Sequence, residues 1–367
     1  MDLFVQLKEA ARMLSRSHSQ FAEYGGSIET MSHSIIKSCY NKTFFEVSSG
    51  HYRAFYARDF GMCIKHLIDL GYIDEVLSTL TYALKRYKHA NKITTTIVKS
   101  GACVDMFSYG CDSLPFLLRS LIICNNKELL DTYQQFIEEQ AQVYADIVYD
   151  SKTQLVKKHG HFSSMRDHYV RESACYDNCM VFMLAHDLES LKWKSPFTSE
   201  KIKKAIITSF YNGNYFINDL SGDKELTGDA QVFPFYCGVT SDQTQFDSCM
   251  NALDDAGLTS PFPLKYAAKR NKKRELFFPS LAAPNFEGTT IWLHLGLCYV
   301  DVCKELDFMR YKSALDQYAR LMRTYTNFLE LYAPDGKPYH TLLYQTDESM
   351  LWVSIFYNNY RNAFTDF

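Results

Sequence analysis

Apolar positions recur at intervals of three and four residues along nearly the whole chain, which is the period of an α-helix. The alternation of apolar and polar positions that is typical of strands is almost absent. Only nine prolines occur in 367 residues, so long stretches are free of helix breakers. The pattern predicts twelve helices, at 27–40, 59–70, 73–87, 114–124, 126–149, 176–191, 199–211, 229–239, 241–256, 287–306, 309–332 and 347–363.

The predicted helices alternate in character. Every second helix is apolar nearly all round and is expected to be buried, whereas the others carry Lys, Glu and Gln on one face. Long connections with Gly, Asp and Arg lead into the buried helices, and the connections leading out are mostly short. The buried helices begin near Asp59, Asp112, Tyr176, Asp229, Glu287 and Asp347.

Six such pairs predict an all-α fold, an (α/α)6 toroid of six helical hairpins with the buried helices inside and the long loops at one rim. An α-solenoid or an irregular bundle is the alternative. A solenoid would show a repeated consensus of roughly 34 to 40 residues, and the sequence contains none. We expect one domain over 1–367, with 1–26 as an N-terminal extension packed on the barrel.

Composition and charge exclude several classes of protein. The 39 basic and 42 acidic side chains give a net charge of −3, so no overall field favours nucleic acid or anionic lipid. No apolar run reaches the roughly 18 to 20 residues that span a bilayer, and the first residues do not resemble a signal peptide. The eleven cysteines form no CxxC pair, which favours reduced thiols over a zinc site. We therefore expect a cytoplasmic protein without metal or cofactor.

Aromatic residues make up 15% of the chain, and such side chains can form flat walls on which sugar rings stack. Five short motifs lie at the junctions where a long loop leads from a half-exposed helix toward the next buried helix. They are 52–61 (YRAFYARDFG), 112–118 (DSLPFLL), 228–234 (GDAQVFP), 284–292 (PNFEGTTIW) and 330–338 (ELYAPDGKP), the last followed by Trp352.

In this order the five motifs resemble the helix openings of the six-hairpin glycosidases, which include glucoamylase-like enzymes, trehalases and processing α-glucosidases. The resemblance implies an inverting, exo-acting hydrolase of an α-glucoside or a related small glycoside. We expect a carbohydrate substrate and no nucleic-acid or membrane partner, and the oligomeric state stays open. The chain departs from the family in having Tyr56 where a tryptophan is expected. It also lacks the family's tryptophan-containing signature before the sixth helix.

Inverting hydrolysis requires a carboxylic acid to protonate the leaving oxygen and a carboxylate to activate water, roughly 6.5 to 9.5 Å apart. The resemblance implies that the acid lies in the loop before the sixth helix. Asp167 fits the family's spacing best, Glu172 is the alternative, and Asp177 is more typical of a helix N-cap. Arg166 and Arg171 would lower the pKa of an acid here unless they turn away.

The resemblance places the general base before the last helix. Glu330 matches the family motif, and Glu348 lies closer to that helix. Arg58 and Asp59 are expected either to hold sugar hydroxyls in the innermost subsite or to form a buried ion pair. The remaining substrate-binding candidates are Tyr56, Asp112, Asp229, Gln231, Trp292 and Trp352, with Tyr52 as a further stacking candidate.

Two other functions are compatible with the sequence. A sugar isomerase or epimerase on the same barrel would need paired histidines near the rim, and His168 and His294 are the plausible pair. A catalytically inactive carbohydrate-binding barrel would explain the missing tryptophan near Asp167. The basic segment 265–274 is typical of a solvated loop, although on the same rim it could accept an anionic substituent.

Overall fold

The computed structural model describes residues 12, 15–16 and 19–364. Within them the helices are α1 Ile28–Cys39, α2 Ala57–Asp69, α3 Ile73–Ala90, α4 Ser113–Cys124, α5 Lys127–Val148, α6 Cys175–Ser190, α7 Ser199–Phe210, α8 Gly228–Tyr236, α9 Gln243–Asp255, α10 Phe277–Ala282, α11 Leu293–Leu306, α12 Phe308–Tyr325 and α13 Val353–Phe364. The two-residue strands are β1 Phe55–Tyr56, β2 Thr96–Ile97, β3 Cys103–Val104, β4 Tyr149–Asp150, β5 Leu155–Val156, β6 Ile291–Trp292 and β7 Leu331–Tyr332.

Six helices form a closed inner ring. In the order α2, α4, α6, α8, α11 and α13 each helix contacts the next, and α13 contacts α2. The outer helices pack against the ring as hairpin partners, for example α7 on α6 and α12 on α11. This closure confirms the predicted (α/α)6 toroid, because a solenoid would leave the two ends of the series apart.

Burial follows the predicted alternation of helix types. Thirteen of the sixteen residues of α6, an inner helix, are buried. Only three of the twelve residues of α7, its outer partner, are buried. An inner helix is covered on all sides by neighbouring helices, so it carries apolar side chains around its whole circumference.

Two glycines allow close contacts of the inner helices. A Cβ atom on Gly61 of α2 would lie 2.6 Å from Cβ of Phe116 on α4. A Cβ atom on Gly296 of α11 would lie 1.9 Å from the hydroxyl of Tyr318 on α12. Both distances are shorter than van der Waals contact, so each position depends on the absence of a side chain.

Three predicted helix boundaries were wrong by six or seven residues, and smaller differences occur at the ends of α3 and α8. The helix predicted at 287–306 begins only at Leu293, the one predicted at 309–332 ends at Tyr325, and the one predicted at 347–363 begins at Val353. Residues at these ends instead form β6 and β7, which pair Ile291 with Tyr332, or irregular loop. Short apolar runs fit a buried strand as well as a helix, so periodicity alone cannot separate them.

The predicted N-terminal extension is described only in part, since residues 1–11, 13–14 and 17–18 lie outside the described residues. Within the described part, the backbone N–H of Tyr24 donates a 3.0 Å hydrogen bond to the carbonyl of Thr326. Among the helices that the structure describes, none combines the length and the apolar character needed to cross a bilayer.

Candidate active site

A cavity of about 770 Å³ lies at the N-terminal ends of the inner helices. Its walls come from the loops that precede α2, α4, α6, α11 and α13, which are the long connections of the sequence pattern. The deepest lining side chains include Glu330, Trp352 and His294, which are 1%, 3% and 5% exposed. Asp167 also lines this cavity, so the structure brings together the preferred acid and the preferred base.

Asp167 is held in place by the loop in which it lies. Its Oδ1 atom accepts hydrogen bonds from the hydroxyl of Ser163 at 2.6 Å and from the backbone N–H of Ser164 at 2.7 Å. Its Oδ2 atom lies 3.5 Å from Nη2 of Arg58. The carboxyl group is therefore oriented by three fixed donors while remaining partly accessible from the cavity.

Arg58 is surrounded by carboxylates at the start of α2. Besides Asp167, it contacts Asp112 at 3.1 Å and Asp59 at 4.0 Å. Burial alone would lower the pKa of Arg58, but these three acids raise it well above its usual range. The guanidinium is thus permanently charged, and it anchors the first turn of α2 to the loop before α6.

The two arginines that flank Asp167 in sequence turn away from it. The guanidinium of Arg166 lies over the ring of Tyr169, 3.6 Å from the ring centroid. Arg171 binds Asp229 at 2.6 Å. Their charges are therefore engaged elsewhere, and Arg58 is the cation that contacts Asp167.

Glu287, which the sequence analysis did not assign to the site, also lines the cavity. Its two carboxyl oxygens accept hydrogen bonds from the backbone N–H groups of Asp167 and His168, at 2.9 and 2.7 Å. Burial and the adjacent Asp167 carboxylate raise the pKa of Glu287 to about 8, although these N–H groups act in the opposite direction. Its position directly before Gly288 in the 284–292 motif was the signal available in the sequence.

Glu330 is buried at the floor of the cavity, directly before β7, and its backbone carbonyl accepts a 3.2 Å hydrogen bond from the N–H of Leu293. Its Oε2 atom accepts hydrogen bonds from the hydroxyl of Tyr344 at 2.5 Å and from the backbone N–H of Asp347 at 2.9 Å. Burial and the nearby Asp347 carboxylate raise the pKa of Glu330 to about 8, and the bond from Tyr344 limits the rise.

The alternative acid and base candidates lie outside the cavity lining. The carboxylate of Glu172 is partly exposed and lies 3.6 Å from Nζ of Lys158. Glu348 accepts hydrogen bonds from Arg16, from the backbone N–H of Ala22 at 2.5 Å and from Asn327 at 3.0 Å. Glu348 thus connects the N-terminal segment to the loop after α12.

The substrate-binding candidates divide into two groups. Those that line the cavity are Tyr52, Tyr56, Arg58, Asp59, Trp292 and Trp352. The indole N–H of Trp352 donates a 2.9 Å hydrogen bond to Asp59, which fixes the orientation of both side chains. Burial raises the pKa of Asp59, partly offset by Arg58.

The other three candidates have structural partners outside the main cavity. Asp112 accepts a 2.9 Å hydrogen bond from the hydroxyl of Tyr176, and its Oδ2 atom lies 3.1 Å from Nη1 of Arg58. Asp229 is paired with Arg171. Gln231 binds the backbone N–H and carbonyl of Phe216, at 2.9 and 2.7 Å.

Two histidines also line the cavity, the buried His294 and the half-buried His168. Burial lowers the pKa of His168 to about 4, and it lowers that of His294 as well. The Nδ1 atom of each ring is buried without a hydrogen-bond partner. Both imidazoles are therefore neutral near pH 7.

The basic segment 265–274 contributes no side chain to the cavity. Arg270 binds Glu275 at 2.6 Å, and Arg274 binds Asp219. These pairs neutralise the two arginines of the segment. Among the described residues, no group of three or more His, Cys, Asp or Glu side chains is arranged to hold a metal ion.

No protein-family model matches the chain, and no curated protein matches it. Solved structures do. A rhamnosidase from Klebsiella oxytoca with rhamnose bound matches with a TM-score of 0.63 at 10% identity, over 94% of this chain and 66% of that one. The chain thus spans about two thirds of that rhamnosidase.

Two shorter structures match over almost their full lengths. A wild-type glycosidase matches with a TM-score of 0.66 at 12% identity, over 98% of both chains. A mannosylglycerate hydrolase of glycoside hydrolase family 63 from Thermus thermophilus, in complex with Tris and D-glycerate, matches with a TM-score of 0.64 at 10% identity, over 91% of this chain and 99% of that one. The chain therefore has the six-hairpin fold of these glycosidases.

Proposed function

We propose that the protein is an inverting glycoside hydrolase that removes a terminal sugar from an α-glucoside or a related small glycoside. The observation that carries this proposal is the meeting of Asp167 and Glu330 in one cavity. They come from distant parts of the sequence, and their cavity is lined by Trp292 and Trp352, whose rings offer surfaces for a sugar.

In this proposal Asp167 is the general acid. Burial raises the pKa of Glu287 to about 8, so its carboxyl beside Asp167 stays protonated at neutral pH. Asp167 donates its own carboxyl proton to the glycosidic oxygen as the bond to the anomeric carbon breaks.

Glu330 is the general base. In its ionised form it takes a proton from water, whose oxygen attacks the anomeric carbon from the face opposite the leaving group. One water is consumed, and the product is a free sugar of inverted anomeric configuration plus an alcohol. Tyr344 stabilises the ionised form of Glu330 through its hydrogen bond.

Exo action is supported by the shape of the site. The inner ring is closed, and the floor of the cavity consists of side chains almost entirely buried, including Trp352 and His294. A sugar at the floor has no room for a further residue beyond it. Arg58 and Asp59 would bind adjacent hydroxyls of that terminal sugar.

We also propose that the chain forms one domain and acts in the cytoplasm. One continuous hydrophobic cluster runs through the described helices. All eleven cysteines are free thiols, and nine of them are buried. Such cysteine usage is typical of a reducing compartment.

The direct test is hydrolysis of a panel of α- and β-linked glucosides, mannosides and rhamnosides, with proton NMR of the first product formed. We expect one α-glycoside to be cleaved with initial release of the β-anomer. Release of the α-anomer first would contradict inversion. Tight sugar binding without turnover at any pH would indicate an inactive carbohydrate-binding barrel instead.

A second candidate function is a sugar isomerase or epimerase. It is favoured by one observation, that His168 and His294 both line the cavity as neutral imidazoles able to accept a proton. Incubation of free aldoses in deuterium oxide distinguishes it. Interconversion with deuterium incorporation at a carbon next to the carbonyl would support this function, and its absence would exclude it.

A further inference from the structure

The short helix α10 presents large apolar side chains to solvent. None of its six residues is buried. Phe277 is 68% exposed, Phe278 81% and Leu281 61%. The rings of Phe277 and Phe278 pack edge to face, with their centroids 5.4 Å apart, so they form one continuous apolar surface. Exposed apolar clusters of this kind are typical of binding sites.

Helix α10 is fixed to the loops that build the cavity. The backbone N–H of Leu276 donates a 2.8 Å hydrogen bond to the carbonyl of His168, next to the proposed acid. At the other end, the hydroxyl of Thr341 donates a 2.8 Å hydrogen bond to the carbonyl of Ala282. The apolar surface is therefore held at a defined position relative to Asp167.

The same helix forms part of the cavity wall. The lining side chains of this segment are Leu276, Phe277, Phe278, Pro279, Ala282 and Ala283. Because Phe277 and Phe278 are exposed whereas Glu330 and Trp352 are buried, this wall belongs to the outer part of the cavity. The described lining includes one Lys or Arg side chain, Arg58, and this arginine is already surrounded by carboxylates.

We propose that the outer cavity is a subsite for an uncharged, apolar aglycone, so that the preferred substrates are glycosides of alkyl or similar hydrophobic alcohols. This inference rests on the proposed hydrolase function. A polar or acidic leaving group would meet carbon surface here and no free cation. The apolar chain instead covers Phe277 and Phe278, and each methylene fully buried strengthens binding by roughly fourfold.

The test uses methyl, butyl and hexyl α-D-glucosides and α-D-mannosides. Dissociation constants come from the fluorescence of the cavity tryptophans, and kcat/KM from product release. Butanol and hexanol have nearly equal leaving abilities, so a difference between their glycosides reports binding. We expect hexyl glycosides to bind about tenfold or more tightly than methyl glycosides, with the same trend in kcat/KM.

The double variant Phe277→Ala/Phe278→Ala should reduce the hexyl-to-methyl ratio to about twofold or less. Phe308→Ala is the matched control, because Phe308 is 57% exposed on α12 and does not line the cavity. The control should keep the wild-type ratio.

Three outcomes distinguish failure of the apolar subsite from failure of the hydrolase function. A ratio near one in the wild type, or no binding of any member, overturns the apolar subsite, as expected if a second copy of the chain or a lipid surface covers α10. A ratio that the double variant leaves unchanged also overturns it. Chain-length-dependent binding without hydrolysis refutes the hydrolase function and leaves the apolar subsite standing.

Discussion

The hydroxyl of Tyr344 lies 2.5 Å from Oε2 of Glu330, at the floor of the cavity. Tyr344 also lies 3.2 Å from the hydroxyl of Tyr52. A donor at this distance favours the ionised form of a carboxyl group, and Glu330 is otherwise shifted strongly toward its protonated form by burial. Tyr344 is therefore a positioning residue that sets the protonation of the proposed base.

The variant Tyr344→Phe should raise the pKa of Glu330 and so shift the rising limb of the pH profile to higher pH. A hydrogen bond to a charged group contributes about 1.5 to 3 kcal/mol, so its loss moves the rising limb of kcat/KM upward by about 1 to 2 pH units. Relative to wild type, kcat/KM at pH 7 should fall by roughly 10- to 100-fold. This difference should shrink above pH 8, where both enzymes lie on the same falling limb. Tyr311→Phe, which removes a buried hydroxyl bonded to the carbonyl of Asn359, should leave the pH profile unchanged. A parallel loss at all pH values would contradict this role.

The wild-type pH profile should peak near pH 8. Glu330 has a pKa raised to about 8 and must be ionised to act as a base, so kcat/KM rises with pH below that value. Glu287 loses its proton above about pH 8, which places a second negative charge beside Asp167 and lowers kcat/KM again. Glu287→Gln should alter the falling limb and leave the rising limb in place. A single fall of kcat/KM from pH 6 upward would show that Glu330 is not the base.

Asp229 should matter for stability rather than for substrate binding. It is buried and paired with Arg171 at 2.6 Å, so Asp229→Asn leaves a buried guanidinium without its counterion. Breaking such a pair costs about 3 to 5 kcal/mol of the free energy of unfolding. Urea denaturation measures the loss, and Asp316→Asn, in an exposed pair with Arg320, should cost less than about 1 kcal/mol. Unchanged stability with a raised KM would place Asp229 in the sugar site.

The close approach of α2 to α4 can be tested at Gly61. An added methyl group would meet Phe116 at 2.6 Å, so Gly61→Ala should lower the free energy of unfolding by about 1 to 3 kcal/mol through overpacking. Gly25→Ala is the control, since a Cβ there would have no atom within 4 Å. Equal stability of both variants would contradict the packing described for the inner ring.

The architecture could be predicted from the sequence because the degree of burial of a helix determines how many of its faces carry apolar residues. An inner helix such as α6 is surrounded by other helices, and its apolar residues therefore run all round. Helix ends were less predictable. The positions that became β6 and β7 are apolar and buried in either conformation, and only tertiary pairing decides between them.

The site could be predicted only in part. Asp167, Glu330, Arg58 and Asp59, all candidates from the sequence, line the cavity. Asp229 also lies in one of the loop motifs, but its carboxylate is paired with Arg171. An acidic residue in the first turn of a helix can form an ion pair as well as bind a ligand, and the sequence does not distinguish the two.

Glu287 illustrates the opposite failure. No spacing rule assigns it to the site, and its role follows from the backbone N–H groups of Asp167 and His168 that reach it from another loop. The apolar helix α10 was also not predicted, because it lies within a segment expected to be a loop. Contacts between loops that are distant in sequence decide these features, and local patterns do not encode them.

The most direct measurement is kcat for Asp167→Asn and Glu330→Gln on the best accepted glycoside, with Glu172→Gln as the control outside the cavity. The account predicts a loss of about 10²- to 10⁴-fold for each of the first two variants, with the free energy of unfolding preserved, and wild-type turnover for the third. Wild-type turnover in both cavity variants would contradict the assignment of acid and base.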